Sequence, residues 1–587
     1  MSSGGLSPDL ATFENYACLR RVRSYMSNSR RRSRRGKRSL LPAVIFAAVG
    51  ILIIGTAAFI YNRHSFTYDQ MDLNSYFGLA SEKEAALVVD DAVLETKGLV
   101  KNDQVYVDYN TVEEYLNPGF FWESGSGKLL LTLPDGTKTW TPDDGSGAVL
   151  KDGDTVYISA DCIGENSDID LEVYQNPWRV VARTKWTNLT AETVTKDDVI
   201  RFRGGPKSDV LTSVKEGDVV VLTGNADEWC QVSTSDGFIG YILKSELKTA
   251  PEGTIQHTTD SRFVFDHKFA DHKINLAWQY CSENDDGTGS FTELTKDAEG
   301  LNTISPTWFG FSDEKGNLTS YANAEYVNMA HNAGLEVWGC LQDVGGSKAD
   351  IGTILMDGDS RASVIGQLIQ AAEDTGMDGI NIDIETVTEE NTPQYLQFLR
   401  ELSVAAHEKN LIVSVDNYVP VYTAYLNRAE QAKTVDYLVI MGYDEHTAGS
   451  DEAGSVASLP FVKQGIEDTL SEVSADQVIN AIPFYTRGWT TVSGEAPSSE
   501  AFGMDEADEW VKSLGIQTSW DSKTGQNTGS VTVGEETYSI WLEDEKSVEE
   551  KMKLIRKADL AGVAEWRLGY ERSDVWKIIS KYLDDME

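Results

Sequence analysis

The stretch MDGINIDIETV, residues 377–387, alternates three isoleucines with three polar residues, Asn381, Asp383 and Glu385. Successive side chains of a β-strand point to opposite faces, so the polar groups share one face and the isoleucines the other. A carboxylate on a buried face is costly unless it is paired or takes part in chemistry. We therefore predict a buried strand that directs two carboxylates toward a functional site.

Similar apolar runs recur through the second half of the chain, separated by stretches with the i, i+3, i+4 spacing of helices. The runs are 273–280, 301–311, 335–344, 377–385, 411–420, 435–446, 478–489 and 561–571. Strands that alternate with helices in this way predict an α/β fold, a (β/α)8 TIM barrel over residues 262–587. A doubly wound open sheet is the alternative. The interval 489–561 is too long for one helix and predicts an α+β insertion between strands 7 and 8.

Two small β-rich domains are predicted before the barrel. In residues 67–182, the segments YVDYNTVEEYL and WESGSGKLLLTL resemble the N-terminal domain of copper amine oxidases, which implies a small α+β stalk domain. In residues 196–248, the segments EWCQV and GFIGYI resemble a bacterial SH3-like barrel, and residues 249–261 have the composition of a linker. The SH3 resemblance implies that Trp229 and Tyr241 are candidate contacts to the cell wall. The alternative is that these rings fill the core of the small barrel.

The N-terminal 61 residues predict a membrane anchor. Residues 1–39 carry ten Lys or Arg against two acids, and the run 40–61 has no charged residue. As a helix, this run spans roughly 33 Å, enough to cross a bilayer, and the basic flank predicts a cytoplasmic tail with residues 62–587 outside a Gram-positive-type cell. The formal net charge of −42 argues against nucleic acid as a partner of the exported part.

The five cysteines have a spacing that fits neither a metal site nor a disulfide framework. A Cys281–Cys340 bridge remains open, although free buried thiols are the favoured interpretation. We expect neither a metal nor a cofactor.

Three predicted strands end in residues capable of chemistry, and in a TIM barrel the active site lies at these C-terminal ends. The residues are Asp383 and Glu385, then Tyr443, Asp444 and His446, then Tyr485, Arg487 and Trp489. Glu385 stands in apolar surroundings near another anion, so we expect a raised pKa and a role as general acid. His446 has no partner at metal-ligand spacing and is expected to be a satisfied loop histidine.

Four motifs resemble glycoside hydrolase family 18, the chitinase family, over about residues 271–584: DGINIDIE (378–385), MGYDEH (441–446), IPFYTRGW (482–489) and GVAEWRLG (562–569). The resemblance implies that Glu385 protonates the glycosidic oxygen while the substrate's own 2-acetamido group attacks the anomeric carbon. It implies that Asp383 holds the acetamide N–H and Tyr443 the acetamide oxygen. The other implied roles are sugar binding by Asp444 and Trp566, weaker contacts by Tyr485 and Arg487, and structural support by Asp378 and Gly379.

Asn381 departs from the chitinase motif, which usually has Asp at this position. An amide cannot share a proton with Asp383, so we expect a simpler titration of Asp383, although an Asn381 N–H could still bond it. The Asn resembles the branch of spore cortex-lytic N-acetylglucosaminidases, which implies peptidoglycan or another N-acetylglucosamine-containing glycan as substrate, with Asn381 at the binding site. We therefore predict a membrane-anchored peptidoglycan hydrolase. A catalytically silent lectin-like wall-binding protein and a true chitinase are the alternatives.

Overall fold

The computed structural model describes residues 41–344, 349–584 and 586, and the chain forms two units, Met1–Thr67 and Tyr68–Glu587. In the first unit, helix α1 (Leu41–His64) is long enough, and over Val44–His64 apolar enough, to cross a membrane. This helix corresponds to the span predicted at 40–61. The predicted basic tail, residues 1–39, lies outside the described residues.

The second unit begins with a sheet-rich region that covers the predicted stalk domain. Its elements are α2 (Leu73–Phe77), β1 (Glu84–Val89), β2 (Ala92–Lys101), β3 (Gln104–Asp108), α3 (Tyr109–Tyr115), β4 (Phe120–Glu123), β5 (Lys128–Leu133), β6 (Gly136–Trp140), β7 (Val149–Asp152), β8 (Thr155–Ser159), α4 (Ala160–Glu165), β9 (Asp170–Tyr174) and β10 (Arg179–Arg183). One sheet has the order β7, β8, β3, β2, β1, β10, β9, and β4, β5 and β6 form a separate antiparallel sheet. The resemblance of this region to copper amine oxidases stays a prediction.

A second sheet follows, and it extends beyond the predicted SH3-like segment at both ends. Its strands are β11 (Ala191–Val194), β12 (Asp198–Arg201), β13 (Val210–Val214), β14 (Val219–Ala226), β15 (Trp229–Ser233), β16 (Ile239–Leu243) and β17 (Leu247–Thr249), with a 3-10 turn at Lys244–Glu246. Strands β12 to β16 fall inside the predicted segment, whereas β11 and β17 pair with each other at its borders. Phe77 of α2 packs into the core of this sheet beside Ile200 and Val232. The SH3 assignment itself stays a prediction.

After a 3-10 turn at Ser261–Phe263, the chain enters the barrel. Its strands up to the insertion are β18 (Ile274–Gln279), β19 (Thr303–Pro306), β20 (Phe309–Phe311), β21 (Leu318–Ser320), β22 (Glu336–Gln342), β23 (Gly379–Asp383), β24 (Ile412–Tyr418), β25 (Tyr437–Met441) and β26 (Val478–Pro483). The helices between them are α5 (Phe291–Thr295), α6 (Ala324–Asn332), α7 (Ile351–Met356), α8 (Gly358–Thr375), α9 (Thr392–Glu408), α10 (Pro420–Thr423), α11 (Arg428–Ala432) and α12 (Leu459–Leu470), with 3-10 turns at Ala424–Leu426 and Ala475–Gln477.

The predicted insertion lies between the seventh and eighth barrel strands. It holds β27 (Tyr485–Val492), β28 (Ser498–Gly503), α13 (Met504–Leu514), β29 (Ser519–Asp521), β30 (Gln526–Val533) and β31 (Glu536–Leu542), which form an antiparallel sheet with one helix. Helix α14 (Glu545–Ala558), strand β32 (Gly562–Trp566) and helix α15 (Asp574–Asp584) then complete the barrel. The α+β insertion is thus confirmed.

Eight parallel strands close the barrel in the order β18, β19, β22, β23, β24, β25, β26, β32. Closure requires that the first and last strands pair, and Ile274 of β18 stands opposite Gly562 of β32. The TIM-barrel prediction is therefore confirmed. The doubly wound alternative is wrong, because an open sheet has two unpaired edges, whereas these eight strands form a complete ring.

The β4–β6 sheet packs directly on the barrel through buried polar contacts to helices α8 and α9. The Arg361 guanidinium of α8 bonds Glu123 of β4 at 2.8 Å and Glu401 of α9 at 2.9 Å. Gln397 of α9 donates to the hydroxyl of Thr132 in β5 at 2.8 Å. The β4–β6 sheet is consequently held on the barrel by direct contacts as well as by the chain that connects them.

Candidate active site

A cleft of about 830 Å³ opens at the C-terminal ends of the barrel strands. Near the opposite ends of the strands, Trp338 of β22 and Tyr437 of β25 stack with ring centroids 5.6 Å apart. The cleft brings together six of the predicted site residues: Asp383, Glu385, Tyr443, Asp444, Tyr485 and Trp566. The strands that carry them are those on which the four sequence motifs lie.

Asn381 lies beneath the cleft and is completely buried. Its Oδ1 accepts hydrogen bonds from Trp278 Nε1 at 2.9 Å and Ser305 Oγ at 3.2 Å. Its Nδ2 donates to Ser414 Oγ at 3.0 Å and to Asp416 Oδ1 at 2.7 Å. Both acceptor positions and both donor hydrogens of the amide are therefore occupied by groups inside the barrel. Two expectations are corrected here: Asn381 does not bond Asp383, and it has no free group with which to bind substrate.

Asp383 is the deepest carboxyl that reaches the cleft, and its side chain is almost fully buried. Its Oδ1 has no hydrogen-bond partner among the described residues. Burial holds the pKa of Asp383 well above its usual range, and the nearby carboxyls of Asp416, Glu385 and Asp343 act in the same direction. In the free protein, Asp383 is thus a carboxyl that binds a proton readily.

Glu385 follows strand β23 and is partly exposed at the mouth of the barrel. The phenol of Tyr418 donates a short hydrogen bond to Glu385 Oε2. Burial raises the pKa of Glu385, the bond from Tyr418 opposes that rise, and the carboxyls of Asp343 and Asp444 add to it. A carboxyl that stays protonated and reaches the cleft can act as a general acid.

The loop after β23 is held by Asp343, which follows strand β22. The Asp343 carboxylate accepts the backbone N–H of Glu385 at 2.9 Å and that of Thr386 at 3.1 Å, and also the Thr386 hydroxyl. These bonds fix the backbone of the residue whose side chain is the candidate acid.

Tyr443, Asp444 and Tyr485 form another group of residues that line the cleft. The phenol of Tyr485 donates to Asp444 Oδ1, and the rings of Tyr443 and Tyr485 meet edge to face with centroids 6.2 Å apart. Asp444 adopts a left-handed backbone with φ of 59°, where the chain turns after β25. Burial raises the pKa of Asp444, while the Tyr485 bond and the Arg487 charge oppose that rise.

Trp566 and Arg487 differ in their relation to the cleft. Trp566 ends strand β32, lines the cleft and lies 5.9 Å from the Trp278 ring, centroid to centroid. Arg487 does not line the cleft, and its Nη1 donates to Ser499 Oγ of strand β28 at 3.3 Å. A direct contact from Arg487 to substrate, expected from the motif, is therefore not supported.

Asp378 and Gly379 lie at the start of strand β23, away from the cleft. Asp378 Oδ2 accepts the backbone N–H of Val337 at 2.8 Å and lies 2.9 Å from His331 Nε2. A Cβ on Gly379 would come within 2.8 Å of the Trp338 ring and 2.9 Å of the Ile412 carbonyl oxygen. Both residues shape the packing of neighbouring strands.

The remaining candidates lie in loops and in the second sheet. His446 Nδ1 bonds the Ser455 carbonyl at 2.8 Å, as expected for a satisfied loop histidine. Trp229 and Tyr241 are half-buried on one face of the second sheet, and a Cβ on Gly204 would lie 3.3 Å and 3.5 Å from their side chains. The loop that contains Gly204 therefore packs against both rings.

Sequence reasoning missed Asp416 and Tyr418, which strand β24 directs into the lumen beside Asn381 and Glu385. The sequence pattern that could have found them is VSVDNYVP (413–420), where Ser414, Asp416 and Tyr418 occupy every second position. The polar residues of β23 have the same spacing. The aromatic wall formed by Tyr280, Phe309, Phe311 and Tyr321 was also missed. Its members come from the region of β18 to β21, and only Phe309 and Phe311, two residues apart on β20, share a strand period.

The cysteines and the possible metal ligands were also predicted from the sequence. Cys281 and Cys340 are both buried and are not bonded to each other. Within residues 41–344, 349–584 and 586, no three His, Cys, Asp or Glu side chains form a group that could hold a metal ion.

Comparison with known proteins gives the following matches. A family model described as Glycosyl hydrolases family 18 matches residues 278–571. The chain is 28% identical over 312 residues to the uncharacterized glycosylase YvbX of Bacillus subtilis (strain 168), a match that covers 50% of this chain and 88% of that protein. It is 24% identical over 244 residues to the cortical fragment-lytic enzyme of the same organism, covering 39% of this chain and 56% of that relative's length. The spore cortex-lytic enzyme SleL of Bacillus cereus aligns structurally with a TM-score of 0.48 and 18% identity, over 57% of this chain and 78% of that one.

Proposed function

The chain belongs to family 18 of the glycosyl hydrolases, and from that membership we propose that it is a membrane-anchored, retaining hydrolase that cleaves N-acetylglucosamine linkages in peptidoglycan. The observation that carries the proposal is the pair formed by Glu385 and Asp383. Glu385 reaches the cleft with a raised pKa, and Asp383 lies deeper on the same strand face. This arrangement supports proton donation at one atom of a sugar and charge stabilisation at another.

In the first step, Glu385 gives its proton to the glycosidic oxygen and the bond from that oxygen to the anomeric carbon breaks. The carbonyl oxygen of the substrate's 2-acetamido group forms a new bond to the anomeric carbon, because no enzyme side chain acts as nucleophile. Asp383 accepts the acetamide N–H and balances the positive charge of the oxazolinium ion. Tyr443 donates its hydroxyl to the acetamide oxygen and so orients it for attack.

In the second step, Glu385 is a carboxylate and removes a proton from water. The water oxygen attacks the anomeric carbon, the bond to the acetamide oxygen breaks, and the configuration at that carbon is retained. Trp566 supplies an apolar surface for the sugar ring, and Asp444, oriented by Tyr485, accepts a sugar hydroxyl.

Two observations favour peptidoglycan over chitin as the substrate. Asn381 replaces the usual Asp of chitinases and is built into the barrel by four hydrogen bonds. The chain is also similar to the relative named cortical fragment-lytic enzyme, over 244 residues. Helix α1, as a membrane anchor, would keep the enzyme at the cell surface, and the Trp229–Tyr241 face of the second sheet is the candidate contact to the wall.

The test is digestion of purified peptidoglycan and of chitin oligomers by the full chain in detergent micelles, with identification of the new reducing ends. We expect N-acetylglucosamine reducing ends from peptidoglycan, and a loss of at least about 10³-fold in Glu385→Gln, because the proton donor is gone. Glu390→Gln, an exposed carboxyl of the same loop, serves as the matched control and should keep the wild-type rate.

Other outcomes distinguish the alternatives. Binding of the glycan without cleavage would contradict the proposal and favour a lectin-like protein. Cleavage of chitin oligomers at a rate well above that of peptidoglycan would favour a chitinase. Equal activity in Glu385→Gln and wild type would remove Glu385 from the role of acid.

A further inference from the structure

Strand β24 places a second buried carboxyl, Asp416, beside Asp383. The two strands pair in parallel, with Asn381 opposite Ser414 and Ile382 opposite Val415. The next residue along each strand is therefore Asp383 on β23 and Asp416 on β24, about 4.8 Å apart at the backbone. Both side chains face the lumen, and only Asp383 lines the cleft.

The hydrogen bonds around the two carboxyls are unequal. Asp416 Oδ1 accepts the Asn381 Nδ2 donor at 2.7 Å, whereas Asp383 Oδ1 has no hydrogen-bond partner among the described residues. Asp416 Oδ2 likewise has none in that part of the chain. Because a donor stabilises a carboxylate, Asn381 favours the negative charge on Asp416 and leaves the proton to Asp383.

The groups that face this pair are acids, a thiol and phenols. Glu385 and Asp343 supply further carboxyls, and neutral groups come from every neighbouring element: Cys340 of β22, Tyr395 of α9, Tyr418 of β24 and Tyr443 after β25. None of these six groups is a cation. Asp383 and Asp416 are only 5% and 4% exposed, so they cannot both be ionised without a large desolvation and repulsion cost.

We propose that Asp416 and Asp383 share a single proton, and that Asp416 receives this proton from Asp383 when the acetamido sugar enters the cleft. The O–H bond of Asp383 breaks, a new O–H bond forms on Asp416, and the electron pair stays on Asp383. Asp383 then carries the negative charge that accepts the acetamide N–H. Asp416 is a positioning residue in this scheme, since it does not touch the substrate. The role given to the acetamide rests on the proposed function.

The carboxyl that position 381 lacks is thus supplied by the neighbouring strand. The simpler titration of Asp383 expected from Asn381 is replaced by a coupled one. A shared proton has a definite signature: the pair titrates in two steps, and a lone Asp383 titrates in one step that lies between them. The free enzyme is active between the two steps, whereas a variant without Asp416 is active only above its single step.

The first experiment measures the pH dependence of kcat/KM in the full chain, because kcat/KM reports the ionisations of the free enzyme. In Asp416→Asn the proton on Asp383 must leave to solvent, so we expect the acid limb to move to higher pH by about one pH unit or more, with at least about tenfold loss at the wild-type optimum. The exchange variant Asn381→Asp/Asp416→Asn restores the number of carboxyls and should return the acid limb toward the wild-type position. Ser414→Ala removes only a hydrogen bond to Asn381 and should leave the acid limb in place.

An Asp416→Asn variant with the wild-type acid limb would overturn the proposal. If Asp416→Asn is inactive at every pH, the exchange variant decides: activity with the wild-type limb supports proton sharing, and a folded but inactive exchange variant contradicts it. Circular dichroism of each variant shows whether it is folded.

A second measurement needs no substrate and so separates this inference from the proposed function. This measurement is an infrared titration of the protonated carboxyl groups in the free protein. The last carboxyl proton of the barrel lumen should be lost at lower pH in Asp416→Asn than in wild type. An unchanged titration contradicts proton sharing even if the enzyme hydrolyses peptidoglycan. A shifted titration supports it even if no glycan is cleaved.

Discussion

Glu385 has its acidity set by three neighbours from three different elements. Burial and the carboxyls of Asp343 and Asp444 raise its pKa, and the phenol of Tyr418 lowers it. The phenol donates to the charged form, so its bond is stronger when Glu385 is ionised. The pH range in which Glu385 remains an acid is therefore adjusted by a residue that has no part in proton transfer.

Tyr418→Phe should raise the pKa of Glu385, because the bond that stabilises the carboxylate is removed. The acid form then persists to higher pH, so the alkaline limb of kcat/KM should move upward by about one pH unit, the equivalent of about 1.4 kcal/mol. The measurement is the pH profile of peptidoglycan hydrolysis. Tyr422→Phe, a nearby half-exposed phenol, is the control and should leave the limb unchanged. A downward shift in Tyr418→Phe would contradict this assignment.

At the scale of elements, strand β23 depends on a glycine as much as on its carboxyls. The start of the strand passes so close to Trp338 and the Ile412 backbone that a methyl group has no space at Gly379. At Gly366, in the exposed middle of helix α8, an added methyl group would have no other atom within 4 Å. The two glycines therefore differ in what a side chain would meet.

Gly379→Ala should lower the free energy of unfolding by about 1–3 kcal/mol, because the added methyl group overpacks the barrel wall. Gly366→Ala is the matched control and should raise it by about 0.5–1 kcal/mol, since alanine loses less backbone entropy in a helix. Urea unfolding midpoints of the two variants test the pair. Equal shifts, or a stabilised Gly379→Ala, would contradict overpacking at this position.

The eight barrel strands were predictable because each is encoded by local alternation or by an apolar run, and the insertion because the interval 489–561 is too long for one helix. The two border strands β11 and β17 were missed because they are short, polar and defined by pairing with each other across the domain. Asp416 and Tyr418 follow the same alternation as β23, but only the pairing of β23 with β24 shows that they share its lumen. Contacts between residues of two paired strands cannot be predicted from the sequence of one strand alone.

At the scale of the whole molecule, the β4–β6 sheet and the barrel share a buried ionic contact. Arg361 is 1% exposed and lies between Glu123 of the sheet and Glu401 of the barrel. Removing one member of such a group leaves the others buried and uncompensated. This contact, which no local sequence pattern predicts, orients the sheet-rich region on the barrel.

Arg361→Met should destabilise the protein by about 3–5 kcal/mol, because two carboxylates lose their buried counter-charge. Lys409→Met breaks an exposed pair with Glu373 and should change stability by less than about 1 kcal/mol. Chemical unfolding followed by tryptophan fluorescence compares the two. A small effect in Arg361→Met would mean that this ionic group contributes little to the packing of the sheet-rich region on the barrel.

The central claim is that the substrate's acetamide, held by Asp383, is the nucleophile. The most direct measurement compares peptidoglycan glycan strands with the same strands after removal of the acetyl group, and follows the first-formed anomer by NMR. We predict cleavage of the acetylated strands alone, with the anomeric configuration retained in the first product. Equal cleavage of both substrates, or an inverted first product, would contradict the account.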